Sequence, residues 1–208
     1  MINKIFRKMF EFQESPNGMH QIGGKKPTEL QYPVNKFTGD FQYVGLLNRQ
    51  DSSFNWLPFD LHLICPIYLN IDKVFLNYTD PSKPKLIHPI DTEAIDSEYD
   101  ELKADSYIEF ESIKVELQKV KEIDDLECIG IAGKPMFVQD LDIPICPINK
   151  KKMKFVCQLM TFGEISTKEK NFDSDYPDFE HMCFWGDGSL FVFMEPESKT
   201  VCYFIQHT

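Results

Sequence analysis

The stretch IAGKPMFVQDLDIPICPINKKKMKFVCQLM, residues 131–160, repeats an order of residues that occurs earlier in the chain. A glycine turn, a proline, a glutamine and a proline corner precede a strand-like run in this stretch. IGGKKPTELQYP and the later FQYVGLL follow the same order. Glycine and proline at the joints, with apolar and aromatic residues in the runs, are typical of strands joined by turns. The order predicts two similar halves, offset by roughly 110 positions.

We predict a single domain over residues 1–208, with a first repeat at about 20–90 and a second at about 128–208. Strands are predicted in FQYVGLL, in MKFVCQLM and twice in LHLICPIYLNIDKVFLNY, and a hairpin is predicted at EPESK. Residues 2–12 carry apolar side chains at helical spacing and predict an amphipathic helix. The predicted class is therefore α+β: sheet-rich, with two pseudo-two-fold related repeats, an N-terminal helix and an acidic connector.

The connector, about residues 91–127, has fourteen Asp or Glu against four Lys. We predict a helix or loop at 91–105, followed by a long strand with a bulge near Ser112 and Ile113. A charged strand is typical of a solvated sheet edge. The functional alternative is a surface that docks a basic protein. The candidate contacts on that surface are Glu109, Glu111, Glu116, Asp124 and Asp125.

Composition narrows the possible partners. An apolar fraction of 42% with 18 Phe predicts a folded chain. A net charge of −11 argues against nucleic acids and anionic membrane surfaces, since both need clustered Lys and Arg. The sequence has neither an apolar run long enough to span a bilayer nor a signal-peptide pattern, so we expect a cytoplasmic protein.

The residues predict no catalytic centre, metal site or cofactor. The six cysteines include no CxxC pair, and His181 with Cys183 is the only short His/Cys spacing. No nucleophile elbow or phosphate-binding loop occurs, and GDG at 186–188 is typical of a turn. Reduced, mostly buried cysteines are expected in such a chain.

Several of these motifs together resemble the YwqG-like family, a bacterial domain of unknown function. They are IAGKP, Gln139, PICP, MKFVCQL and WGDGSLFVF. The resemblance covers most of the chain and implies one compact unit built from two similar halves, with no established reaction. Family members continue the proline corner as Cys-Pro-x-Cys, whereas this chain has Cys146-Pro147-Ile148-Asn149.

Two functions are compatible with the sequence. The first is a protein-binding module, most specifically an immunity-type protein that occludes a basic bacterial toxin, because the acidic connector would attract such a partner. Domains that resemble this one also occur among toxin-associated genes. The alternative is a small-molecule binding protein or an enzyme that uses a cleft between the two repeats, lined by Gln158, Trp185, Asp187 and Cys146. Four glutamines at matched positions in the two halves are predicted to form buried hydrogen bonds to turn backbones: Gln31 with Gln139, and Gln42 with Gln158.

Overall fold

The computed structural model describes residues 8–33, 41–68, 72–88, 106–123, 128–161 and 165–207. These residues form one antiparallel sheet of twelve strands, with a four-residue 3-10 helix at Pro177–Glu180. The strands are β1 (Met9–Glu14), β2 (His20–Gly24), β3 (Gln42–Leu47), β4 (Leu61–Cys65), β5 (Val74–Asn77), β6 (Lys85–Leu86), β7 (Ile108–Val120), β8 (Gly130–Ala132), β9 (Lys154–Met160), β10 (Thr167–Lys170), β11 (Ser189–Glu195) and β12 (Thr200–Gln206).

The predicted α+β class and its N-terminal helix over residues 2–12 are wrong. The described part of that segment contains strand β1, in which Phe10 and Phe12 alternate with Glu11 and Gln13. β1 pairs with β7 on one side and with β8 on the other, so neighbouring strands satisfy its backbone hydrogen bonds. Residues 2–7 of the predicted helix lie outside the described residues. The described ranges contain no α-helix, and hence none long and apolar enough to cross a membrane.

Strand β7, in the acidic stretch, lies inside the sheet and not at a solvated edge. β2 pairs with one side of β7, and β1 and β10 pair with the other. Ile108, Phe110 and Val115 are buried. The pairing with β2 shifts register between Phe110 and Ser112, which places the irregularity at Glu111, next to the predicted bulge. Residues 91–105 of the predicted connector lie outside the described residues.

The two halves of the chain exchange their first strands. We call residues 8–88 the first half and residues 106–207 the second half. β2, β3 and β4 form an antiparallel meander in the first half, and β8, β9 and β11 form one in the second. β1 extends the meander of the second half by pairing with β8, and β7 extends that of the first half by pairing with β2. Each half therefore completes the sheet of the other.

The sheet curls until β4, at one end of the strand order, lies beside β5 and β12. No backbone ladder joins β4 to these strands in the described residues. Two buried tyrosines bridge the gap instead: the Tyr78 hydroxyl donates to the His62 carbonyl at 3.0 Å, and the Tyr203 hydroxyl accepts the Ile64 amide. The two hydroxyl oxygens are 2.9 Å apart. The result is a half-barrel in which two tyrosine side chains bond one carbonyl and one amide at the free edge of β4.

Apolar side chains pack on both faces of the second half. The main core lies on the inner face of the sheet. On the outer face, residues 134–153 cover β9, β11 and β12: Phe137 stacks on Phe191 at 5.2 Å, and Cys146 and Met153 pack in the same cluster with Phe204. Burial on both faces explains why SLFVFM in β11 is almost uninterrupted apolar sequence.

Candidate functional site

The predicted partner-binding carboxylates on β7 differ in exposure. The Glu109 carboxylate forms a 2.7 Å ion pair with Lys168, and its side chain is only 12% exposed. Glu111 and Glu116 are exposed. Asp124 and Asp125 lie outside the described residues. Glu109 is therefore engaged by its own chain, whereas Glu111 and Glu116 are accessible to a partner.

The described part of β7 exposes charges of both signs. Lys114 and Lys119 are exposed on the same strand as Glu111 and Glu116. Ten of the fourteen acidic residues in 91–127 lie outside the described residues. The described part of β7 is therefore less acidic than the connector as a whole.

The structure places the four predicted cleft residues in different surroundings. Gln158 is buried, and its amide group bonds the backbone N–H and carbonyl of Met136 at 2.9 and 3.0 Å. Cys146 lies in the outer aromatic cluster. Trp185, half-buried, and Asp187, exposed, belong to the turn before β11, and Asp187 borders a depression of about 60 Å³. The Gln158 side chain fixes the covering loop, and Gln42 accepts the Ile108 amide at 2.9 Å, so both form buried hydrogen bonds to the backbone. Gln31 and Gln139 are exposed, and the prediction of burial is wrong for them.

The cysteines differ in their acidity. Burial raises the pKa of Cys183 to about 12 and also raises those of Cys65, Cys157 and Cys202. Burial acts the same way on Cys146, but hydrogen bonds from the Ser198 hydroxyl and from the backbone amides of the following turn bring its pKa below the usual range. Cys146 has no exposed surface, so a substrate could not reach its thiol without a rearrangement. The described residues contain no group of three or more His, Cys, Asp or Glu that could hold a metal ion.

A groove of about 640 Å³ lies where the loop after β3 meets the edge of the second half. The loop contributes Ser52, Ser53, Phe54 and Trp56, and the start of β1 contributes Lys8 and Phe10. The facing wall comes from the turn after β8 and from the start of β9, where Val156 interrupts the pairing register with β11. The lining from the second half is Ala132, Gly133, Pro135, Ile143, Lys152, Met153, Lys154, Phe155, Val156 and Phe193.

We call this feature the lysine groove, because the charged side chains among its described lining residues are all lysines: Lys8, Lys152 and Lys154. All three residues are exposed. None forms an ion pair with a described residue. The Lys154 ammonium lies 4.4 Å from the centre of the Trp56 ring, a distance typical of a cation–π contact. This part of an acidic protein is thus locally positive.

A second surface feature adjoins the lysine groove. Large apolar side chains are exposed along residues 141–148, which we call the apolar loop: Leu141 is 75% exposed, Ile148 52% and Ile145 47%. Four of the seven large apolar residues exposed in the described part of the chain belong to this loop, Ile143 being the fourth. Concentration of exposed apolar surface marks interaction sites in folded proteins.

Sequence reasoning identified neither surface as a candidate site. The lysine groove joins residues about 100 positions apart, and the sequence contains no motif that links Trp56 with Lys154. A usable signal for the apolar loop was present, since LDIPI places apolar residues at every second position in a segment with no predicted strand. Such an extended run exposes one face when no neighbouring strand covers it.

Comparisons with known proteins found no match: no protein-family model, no curated protein and no solved structure matches this chain. The resemblance to the YwqG-like family therefore stays a prediction.

Proposed function

We propose that this chain is a cytosolic protein-binding module of the YwqG-like type. The apolar loop carries the proposal. Its exposed Leu141, Ile145 and Ile148 would lose contact with water on association, and burial of apolar surface is the main driving force of protein binding.

The specific role that we propose is that of an immunity-type protein, which neutralises a basic bacterial toxin by covering its active cleft. The net charge of −11 supports a basic partner, because complementary charge accelerates encounter and opposes wrong partners. Glu111 and Glu116 are the exposed carboxylates of β7 that such a partner would contact, beside Lys114 and Lys119. The lysines around the apolar loop, among them Lys150 and Lys152, would repel a basic surface. We therefore assign the contact with the toxin to the exposed surface of β7 around Glu111 and Glu116, which we call the β7 face. The apolar loop supports only the general proposal of a protein-binding module.

Affinity purification from the native cell tests this assignment with three baits. They are the wild-type protein, Glu111→Lys/Glu116→Lys, and Asp72→Lys/Glu197→Lys. The last is a matched charge reversal at two exposed positions beside β5 and β12, several strands from β7 in the sheet. We expect the wild type and the control to retain one basic protein, and the β7 variant to lose it.

Reconstitution from purified components then tests the inhibitory role. The complex should form with the wild type, weaken as salt is raised, and suppress the toxic activity of the partner. A partner that all three baits retain equally would refute the role of the β7 face. A partner that binds and stays fully active would refute the immunity function.

A further inference from the structure

The lysine groove has the dimensions of a small-molecule site. Its volume of about 640 Å³ lies within the range of roughly 300–1,000 Å³ that is usual for ligand pockets. It also lies at the junction of the two halves, between the loop after β3 and the start of β9. Ligand sites occur preferentially where two structural units meet.

Aromatic rings form much of the wall of the groove. Phe10, Phe54, Trp56, Phe155 and Phe193 all contribute to it. The Trp56 ring is held in place by two contacts: its indole N–H donates to the Ser53 carbonyl at 3.1 Å, and the Lys154 ammonium lies over its face. A ring that is already oriented loses little conformational entropy on binding, which favours a flat apolar or aromatic ligand.

The charged residues of the groove favour anionic ligands. Lys8, Lys152 and Lys154 bring three positive charges to the groove, and no Asp or Glu belongs to its described lining. Ser52 and Ser53 add hydroxyl groups to the same wall. A ligand with a carboxylate or phosphate group would gain ionic hydrogen bonds from the lysines, whereas a cation would be repelled.

We propose that the lysine groove binds a small ligand with an aromatic body and an anionic group. The rings would pack against the edge of Trp56 and the neighbouring phenylalanines, because Lys154 covers one face of Trp56. The anion would lie between the lysines. This site is separate from the β7 face and does not depend on the proposed immunity function.

The test compares two probes that differ in charge and share one ring system, 2-naphthoate and its neutral amide, 2-naphthamide. Isothermal titration calorimetry at low salt should give a Kd for the anion at least about fivefold lower than for the amide, the effect of about 1 kcal/mol from nearby exposed lysines. Added salt should reduce this preference, because it screens exposed charges.

Variants locate the binding site on the intact protein. Trp56→Ala should weaken both probes, and Lys152→Gln/Lys154→Gln should remove the preference for the anion. Lys150→Gln/Lys151→Gln makes the same change of charge in the same segment, outside the described lining of the groove, and should leave both affinities unchanged. Circular dichroism spectra of the lysine variants should match that of the wild type, since the substituted lysines are exposed. Trp56 is half-buried, so the spectrum of Trp56→Ala must be shown to match before its affinities are compared.

Three results would overturn the proposal. The first is equal affinity for the two probes. The second is a preference for the anion that survives Lys152→Gln/Lys154→Gln. The third is that neither probe binds at concentrations up to about 10 mM, which corresponds to a binding free energy weaker than about 3 kcal/mol. A loss of partner binding in the affinity purification would not affect this outcome, because the titration uses the purified chain alone.

Discussion

Removing the hydroxyls of Tyr78 and Tyr203 should show how much the side-chain closure of the half-barrel contributes to stability. Tyr78→Phe leaves the His62 carbonyl without its donor, and Tyr203→Phe leaves the Ile64 amide without its acceptor. Each substitution removes a single oxygen and opens no sizeable cavity. Both tyrosines are fully buried, so water does not replace the lost bonds without a rearrangement.

The magnitude follows from the bonds that each hydroxyl makes. A buried polar group left without a partner costs about 1–3 kcal/mol, so we expect each single variant to lose about 2 kcal/mol of unfolding free energy. For a chain of this length, that loss lowers Tm by about 4–8 °C. The 2.9 Å bond between the two hydroxyls is lost in either variant, so the double variant should cost less than the sum of the singles, by about 1 kcal/mol.

Urea unfolding of the four proteins in this cycle, followed by intrinsic fluorescence, provides the measurement. Tyr107→Phe is the control, because its exposed hydroxyl bonds the Glu169 carboxylate and its removal should change stability by less than about 0.5 kcal/mol. Single-variant losses below about 0.5 kcal/mol would show that the hydroxyls do not hold the edge of β4. Strictly additive losses would show that they do not bond each other.

Three further predictions concern backbone conformation, pH and the apolar loop. Gly133→Ala should lose more than about 2 kcal/mol of unfolding free energy in urea, because Gly133 has φ +87° and its new Cβ would lie 2.0 Å from the Lys8 carbonyl oxygen. Gly186→Ala should lose only about 1 kcal/mol, because Gly186 has φ +75° but no atom within 4 Å of the new Cβ. Equal losses in the two variants would contradict this reasoning. Burial lowers the pKa of His20, so the folded protein holds this proton less tightly than the unfolded chain. The contribution of His20 to stability should be full above pH 6.5 and should fall below it by at most about 1.4 kcal/mol per pH unit. Urea unfolding at pH 7 and pH 5 should show a shallower fall in His20→Gln than in the wild type. Leu141→Ser should change unfolding free energy by less than about 0.5 kcal/mol while shortening retention on a hydrophobic column, since this side chain is 75% exposed.

The strands with strong local patterns could be predicted from the sequence. FQYVGLL, MKFVCQLM and the runs on either side of EPESK lie in β3, β9, β11 and β12. Alternation also identified β7, where Ile108 and Phe110 are buried and separated by Glu109. In each case the apolar residues that form the pattern are the ones that pack in the core, so local sequence and tertiary structure agree.

The N-terminal segment shows why the rest could not be predicted. Its apolar residues fit both a helical spacing and, from Met9 onwards, an alternation. The choice is made by β7 and β8, which pair with β1 and lie more than 90 positions away along the chain. Periodicity alone cannot supply that information. The lysine groove depends on the same kind of distant contact, between Trp56 and Lys154.

The exchange of first strands has a consequence for how this protein reaches its native state. β1 leaves the ribosome early, yet it has no complete set of partners until β7 and β8 have been synthesised. The first half likewise lacks the strand that flanks β2 until residue 120 is available. Contacts so distant in sequence slow folding, because the entropy of loop closure must be overcome first. We therefore expect the nascent chain to carry unpaired strand edges until the second half has been synthesised, and neither half to be stable alone.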